Sequence, residues 1–143
     1  TGAITVTFSS AVVRGLTIVD EFDGVDTTGT NGSGAVVQSA TNTTASASSL
    51  TVTLAAFGSA TNGATSGFAI RRTNGNLFTP DTGWTEIDDF IPGDVNARME
   101  TQWRADQDTT AVASWSDANA AGGIAIEIKE ATAAAARRVF LVD

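Results

Sequence analysis

The chain has 143 residues, enough for one domain. It contains no His, Cys or Tyr, which excludes Ser-His-Asp and Cys-His catalysis, histidine-based metal sites, disulfide staples and phenolic acid–base groups. Eight basic residues against sixteen acidic ones leave a net charge of -8, which argues against a grip on nucleic acid or on an anionic membrane surface. Apolar residues make up 42% and charged ones only 17%, and the balance is rich in short Thr, Ser, Gly and Asn side chains that suit strands and tight turns.

The dominant period along the chain is two. Ile4-Thr5-Val6-Thr7-Phe8 alternates apolar and Thr residues, as a half-buried strand does. Leu16-Thr17-Ile18-Val19 runs on through Asp20, Glu21 and Phe22 and stops at Asp23-Gly24. Thr27 to Gly34 reads as a loop, and Asn42 to Ser49 is a low-complexity Thr/Ala/Ser run expected as an exposed strand edge or a loop. Leu50, Val52 and Leu54 alternate with Thr51 and Thr53. Phe68 and Ile70 follow, ending at Asn74-Gly75, a strong hairpin signal. Met99, Thr101 and Trp103 alternate with Glu100, Gln102 and Arg104. Ala111, Ala113 and Trp115 share one face, and Ile124, Ile126 and Ile128 alternate with Ala125, Glu127 and Lys129.

These are at least seven short strands with no helical period between them. The expectation is an all-β fold, a two-sheet antiparallel β-sandwich of jelly-roll or Ig-like topology, spanning residues 1–130. Residues 131–143 form a C-terminal tail. Its run from Ala131 to Ala136 is too short for a stable isolated helix. The following Arg137-Arg138-Val139-Phe140-Leu141-Val142 is long enough for a strand, either added to its own sheet or exchanged with a neighbouring chain. No apolar run approaches the roughly 20 residues of a membrane-spanning helix, so no membrane insertion is expected. The chain starts at Thr1 without Met, so a processed, trimmed or partly represented chain is expected.

With His, Cys and Tyr missing, carboxylate pairs are the remaining catalytic chemistry, as in glycoside hydrolysis. Candidates are Asp20, Glu21, Asp23 and Asp26 in one cluster, and Glu86, Asp88 and Asp89 in another. Solvated acids at strand ends are the reading preferred for them, and the chain is read as non-catalytic and free of cofactors. Asp23-Gly24-Val25-Asp26 offers two carboxylates on a tight turn for a hard cation, without the spacing of an EF-hand loop. Trp84, Trp103 and Trp115 are either core residues or a stacking platform for glycans. Asn31-Gly32-Ser33 and Asn42-Thr43-Thr44 match the N-glycosylation pattern, which chance supplies often in such a chain.

From Glu21-Phe22-Asp23-Gly24-Val25-Asp26-Thr27-Thr28 onward, the sequence resembles β-sandwich modules of tailed-bacteriophage structural proteins and bacterial surface proteins. Similar segments follow at Gly83-Trp84-Thr85-Glu86-Ile87, Thr101-Gln102-Trp103-Arg104, Ser114-Trp115-Ser116-Asp117 and Gly123 to Lys129. The likeness runs from about Ala3 to Glu130. The tail from Ala131 has no counterpart, and such modules usually carry more strands ahead of Ile4. The resemblance implies presentation on a virion or outside a cell, with no catalytic residues to carry over. The expected function is therefore that of a structural protein, such as a capsid decoration or tail-surface protein. Its partners would be copies of itself or other virion or surface proteins, with the tail residues Arg137 to Val142 as an assembly contact. The alternative is a carbohydrate-binding or adhesion module.

Overall fold

The computed structural model describes residues 4–12, 15–71, 77–91 and 96–132. Six strands build one antiparallel sheet: β1 (Val36–Thr53), β2 (Gly63–Ile70), β3 (Thr79–Pro80), β4 (Thr85–Phe90), β5 (Arg98–Arg104) and β6 (Thr110–Ile128). The hydrogen-bonded order is β1-β6-β2-β5-β4, and β3 pairs with β6 beside Ala113 and Ser114. The protein is all-β and antiparallel, as the period of two requires.

The expected pair of separate sheets gives way to a single hydrogen-bonded sheet. The reason lies in β1 and β6, which run for 18 and 19 residues and pair with each other from Val36↔Ile128 to Thr53↔Thr110. Their register shifts between Thr44 and Ser49, inside the low-complexity run, and such irregularities let a strand bend. There the ribbon doubles back on itself. Asn42 Nδ2 donates to the Thr51 carbonyl at 2.7 Å, and Gln38 Nε2 to the Ala55 carbonyl at 3.1 Å. The Ala55 N–H returns a bond to Gln38 Oε1 at 3.0 Å. Two facing halves are thus made from one continuous ribbon, and the Asn42 to Ser49 run is its bend.

The core lies between these halves. It contains Leu50, Val52 and Leu54 from the end of β1 and its exit, Phe68 and Ile70 from β2, and Phe78, Trp84 and Trp115. The Phe78 and Trp115 rings meet edge-on with centroids 5.7 Å apart. Both buried indoles keep a hydrogen bond: Trp84 Nε1 donates to the Thr110 carbonyl at 3.2 Å, and Trp115 Nε1 to the Ala47 carbonyl at 2.9 Å. Gly123 faces Phe68 and Val52 so closely that a Cβ there would lie 2.7 Å from the Phe68 ring and 3.1 Å from Val52 Cγ2. A small residue at this point of β6 is what lets a Phe fit beneath it.

Two strands turn the opposite way from a simple hydrophobic-in pattern. On β5, Arg98, Glu100 and Gln102 are buried, while Met99 and Thr101 are half-buried and Trp103 is exposed. On β6, Ala125 and Glu127 are buried, while Ile126 and Ile128 are half-buried and Ile124 is exposed. The register explains this. Directly opposed residues of an antiparallel pair point to the same face. Phe68 pairs with both Glu100 and Gly123, Ser66 with Gln102 and Ala125, and Ile70 with Arg98 and Ala121. Once Phe68 and Ile70 enter the core, their polar neighbours enter with them.

Before the sheet, Ile4-Thr5-Val6-Thr7-Phe8 and Leu16-Thr17-Ile18-Val19 join no ladder, although both were expected as strands. Ile4, Val6 and Phe8 are 68%, 52% and 51% exposed, so nothing among the described residues buries the alternating face that marks this segment as a strand. From Leu16 to Phe22, half-buried and exposed residues alternate, as expected of an extended arm lying against a surface. The arm is fixed at a bridge between Val25 and Glu130. The expected loop from Thr27 to Gly34 contains most of a 3-10 segment, Thr30–Ala35, broken by left-handed backbone at Asn31 and Gly32. The Asn74-Gly75 turn and the tail residues Arg137, Arg138, Val139, Phe140, Leu141 and Val142 lie outside the described residues.

Candidate functional site

Turning the polar side of β5 and β6 inward leaves their apolar side on the outer face of the sheet. Two hollows lie there. One, about 420 Å3, is lined by Thr65, Gly67, Met99, Ile124 and Ile126, with Asp20 of the arm at its border. Thr101 Oγ1 donates to Asp20 Oδ1 at 3.2 Å and ties the arm to this hollow. The other, about 320 Å3, is lined by Phe22, Asp23, Gly63, Trp103, Ile128 and Glu130.

The end of β6 holds the arm beside the second hollow. The Asp26 N–H donates to the Lys129 carbonyl at 2.9 Å, and the Ala131 N–H to the Gly24 carbonyl at 2.8 Å. Lys129 Nζ donates to Asp26 Oδ2 at 2.6 Å, and the Thr28 N–H to Asp26 Oδ1 at 2.8 Å. The Lys129 ammonium, helped by Thr28, holds the Asp26 carboxyl below the usual carboxylate range. Gly24 makes the turn with a left-handed φ of 73°, a conformation Gly adopts without steric cost.

Of the expected cation ligands, Asp26 is thus committed to Lys129 and Thr28, while Asp23 sits in the second hollow. Among the described residues no three His, Cys, Asp or Glu side chains converge as a metal site would need. The three Trp residues do not form a shared platform. Trp84 and Trp115 are core residues, and Trp103, 40% exposed, stands by itself on the outer face.

The acidic residues separate in an unexpected way. Asp89 pairs with buried Arg98, its oxygens accepting from Nε and Nη2 at 2.5 and 2.6 Å. Burial, followed by the charge of Asp89, raises the Glu86 carboxyl, and Arg98 partly offsets this. The strongest case is Glu100, which the sequence pattern did not single out. It has no exposed surface, and neither carboxylate oxygen has a hydrogen-bond partner among the described residues. Burial, then the like charges of Glu86 and Asp89, pushes it up to about 8 against the pull of Arg98. Glu127 is equally buried but well served, by Asn62 Nδ2 and Gln38 Nε2 at 2.6 Å each and by the Gly58 N–H at 3.3 Å. Gln102 Nε2 donates to Ser66 Oγ at 3.0 Å and across the core to the Val112 carbonyl at 3.1 Å.

A raised carboxyl is what acid catalysis uses, but catalysis also needs a substrate within reach. Glu100 lines neither hollow and has no exposed surface. The one sequence signal for these buried acids is indirect: both fall opposite the strands' larger apolar residues, and only pairing with Phe68 decides which side goes in. No protein-family model, curated protein or solved structure matches the chain.

Proposed function

We propose that the protein is a non-catalytic structural module of a virion or other extracellular assembly, acting through self-association and surface presentation. The observation that carries this reading is the apolar outer face, where Met99, Ile124, Ile126, Ile128 and Trp103 stand on the solvent side of a sheet whose polar residues are inside. Contiguous apolar surface of this kind marks sites of association. The arm adds Ile4, Val6 and Phe8, an alternating strand sequence without a ladder partner among the described residues. The partner is a second copy of the chain, or a neighbouring surface protein with a comparable face. In this reading the doubled ribbon serves as a sandwich whose two layers share β1 and β6. The net charge of -8 keeps such a module soluble at high local density.

Light scattering on the full chain across a concentration series tests the proposal. The expected mass is a multiple of the monomer, and Ile124→Asp on the outer face lowers it without unfolding the domain. A monomer at every concentration overturns self-association.

A further inference from the structure

The second hollow has features that an assembly contact does not require. Trp103 offers an exposed indole, with Phe22 and Ile128 beside it. Asp23 and Glu130 bring carboxylates from two separate parts of the chain, and neither has a hydrogen-bond or ion-pair partner among the described residues. The Val25↔Glu130 bridge and the Asp26–Lys129 pair hold those two parts together. Gly63 keeps part of the lining at backbone level, since a Cβ there would lie 2.7 Å from the Arg104 carbonyl oxygen.

We propose that this hollow binds one uncharged pyranose ring. A pyranose has an apolar C–H face and a rim of hydroxyl donors. The exposed Trp103 face takes the first, and the carboxylate oxygens of Asp23 and Glu130, which accept hydrogen bonds, take the second. The volume of about 320 Å3 suits a terminal sugar better than a long chain, standing at the low end of the roughly 300–1,000 Å3 of small-molecule sites. Arg104 also lines the hollow, but its guanidinium is engaged by Asp106 and Asp108, so the carboxylates of Asp23 and Glu130, on a chain of net charge -8, select against sialic and uronic acids. One ring in an open hollow binds weakly, and displayed copies gain by avidity. The site goes beyond the self-association reading but shares Trp103 and Ile128 with the face proposed for it, so it requires that a covering copy seat on Met99, Ile124 and Ile126 and leave the second hollow open.

Intrinsic fluorescence is a direct probe, because Trp103 is exposed and the other two indoles are buried. The full chain is titrated with methyl glycosides of glucose, galactose and mannose and of the two N-acetylhexosamines. A saturable change with at least one of them is expected. Trp103→Ala lowers affinity at least tenfold, Trp103→Phe restores part of it, and Asp23→Asn with Glu130→Gln weakens it while circular dichroism stays unchanged. No saturable change across the panel overturns the proposal, as does an unchanged affinity in Trp103→Ala. Saturation by choline but by no sugar overturns it too, and assigns the hollow to a cation. Burial of Trp103 that follows protein concentration, in step with mass by light scattering, assigns it to a second copy instead. A monomer that binds sugar leaves this site standing while the self-association reading falls.

Discussion

Glu100 is expected to make the stability of this protein fall as pH rises, by an amount that follows from its burial and its neighbouring charges. Its folded carboxyl is raised from 4.5 to about 8 by burial and by Glu86 and Asp89, with Arg98 the opposing charge. Below 4.5 both the folded and the unfolded chain hold the proton, and there is no penalty. Between 4.5 and 8 the unfolded chain releases it while the folded chain keeps it, so stability drops by about 1.4 kcal/mol per pH unit. The loss levels off above 8 at about 5 kcal/mol. Other groups titrate as well, so the measurement is a difference. Urea unfolding of the wild type and of Glu100→Gln is followed between pH 5 and pH 9. The amide carries its own unsatisfied groups, but that cost does not change with pH. The variant should gain about 2–3 kcal/mol relative to wild type between pH 5 and pH 7. Glu100→Met gives the same slope by a different side chain. A difference that stays flat from pH 5 to pH 8 in both variants refutes a buried, unpartnered Glu100.

Two further outcomes follow from the packing of the ribbon and from the anchoring of the arm. Gly123→Ala places a methyl against Phe68 and Val52, each 1% exposed and with little room to move, and should cost about 1–3 kcal/mol in denaturant unfolding; an unchanged midpoint means that the two halves are not in contact there. Asp26→Asn removes the charged partner of Lys129, so amide exchange in residues 15–26 should speed up while the protection of β2 and β6 is kept. In the wild type the Asp26 carboxyl is held below its ordinary range, so the pair is intact at ordinary pH and its contribution is lost only as pH falls through that lowered value. Equal exchange in both proteins at neutral pH would show that the pair does not anchor the arm.

Much of the sheet was legible in the sequence because alternation and pairing agree there. Leu50, Val52, Phe68, Ile70, Ala111, Ala113 and Trp115 read as one-sided strands and lie in the core. The bend was legible only as a composition: Asn42 to Ser49 looked like a loop or an edge, yet it is the place where one long strand shifts register and bends. The inversion of β5 and β6 was not legible. A period of two fixes which residues share a face but leaves open which face is buried, and a shift of one residue reverses the answer. In β5 the two candidate sets were Met99, Thr101 and Trp103 against Arg98, Glu100 and Gln102, and local hydrophobicity favours the set that ends outside. The decision comes from β2, about thirty residues earlier in the chain. For the same reason Trp103 could not be told from Trp84 and Trp115, though only it faces solvent.

The two buried glutamates and the outer isoleucines are consequences of one register. Bringing Phe68 inward carries Glu100 in from β5, and the same pairing sets Ala125 and then Glu127 inward on β6. Glu127 receives three donors there, so its burial is compensated; Glu100 receives none among the described residues, and its carboxyl is pushed up to about 8. Burying polar groups weakens the fold twice, once by desolvation inside and once by leaving Ile124, Ile126 and Ile128 facing water. The second cost is recoverable, because whatever covers the outer face regains hydrophobic burial without disturbing the core. The arm does this in part through Phe22, which borders the second hollow. A second copy would do more, and since only the folded chain presents this face, association would raise stability in proportion to occupancy. If the proposed self-association holds, a domain with this register is firmer in company than alone.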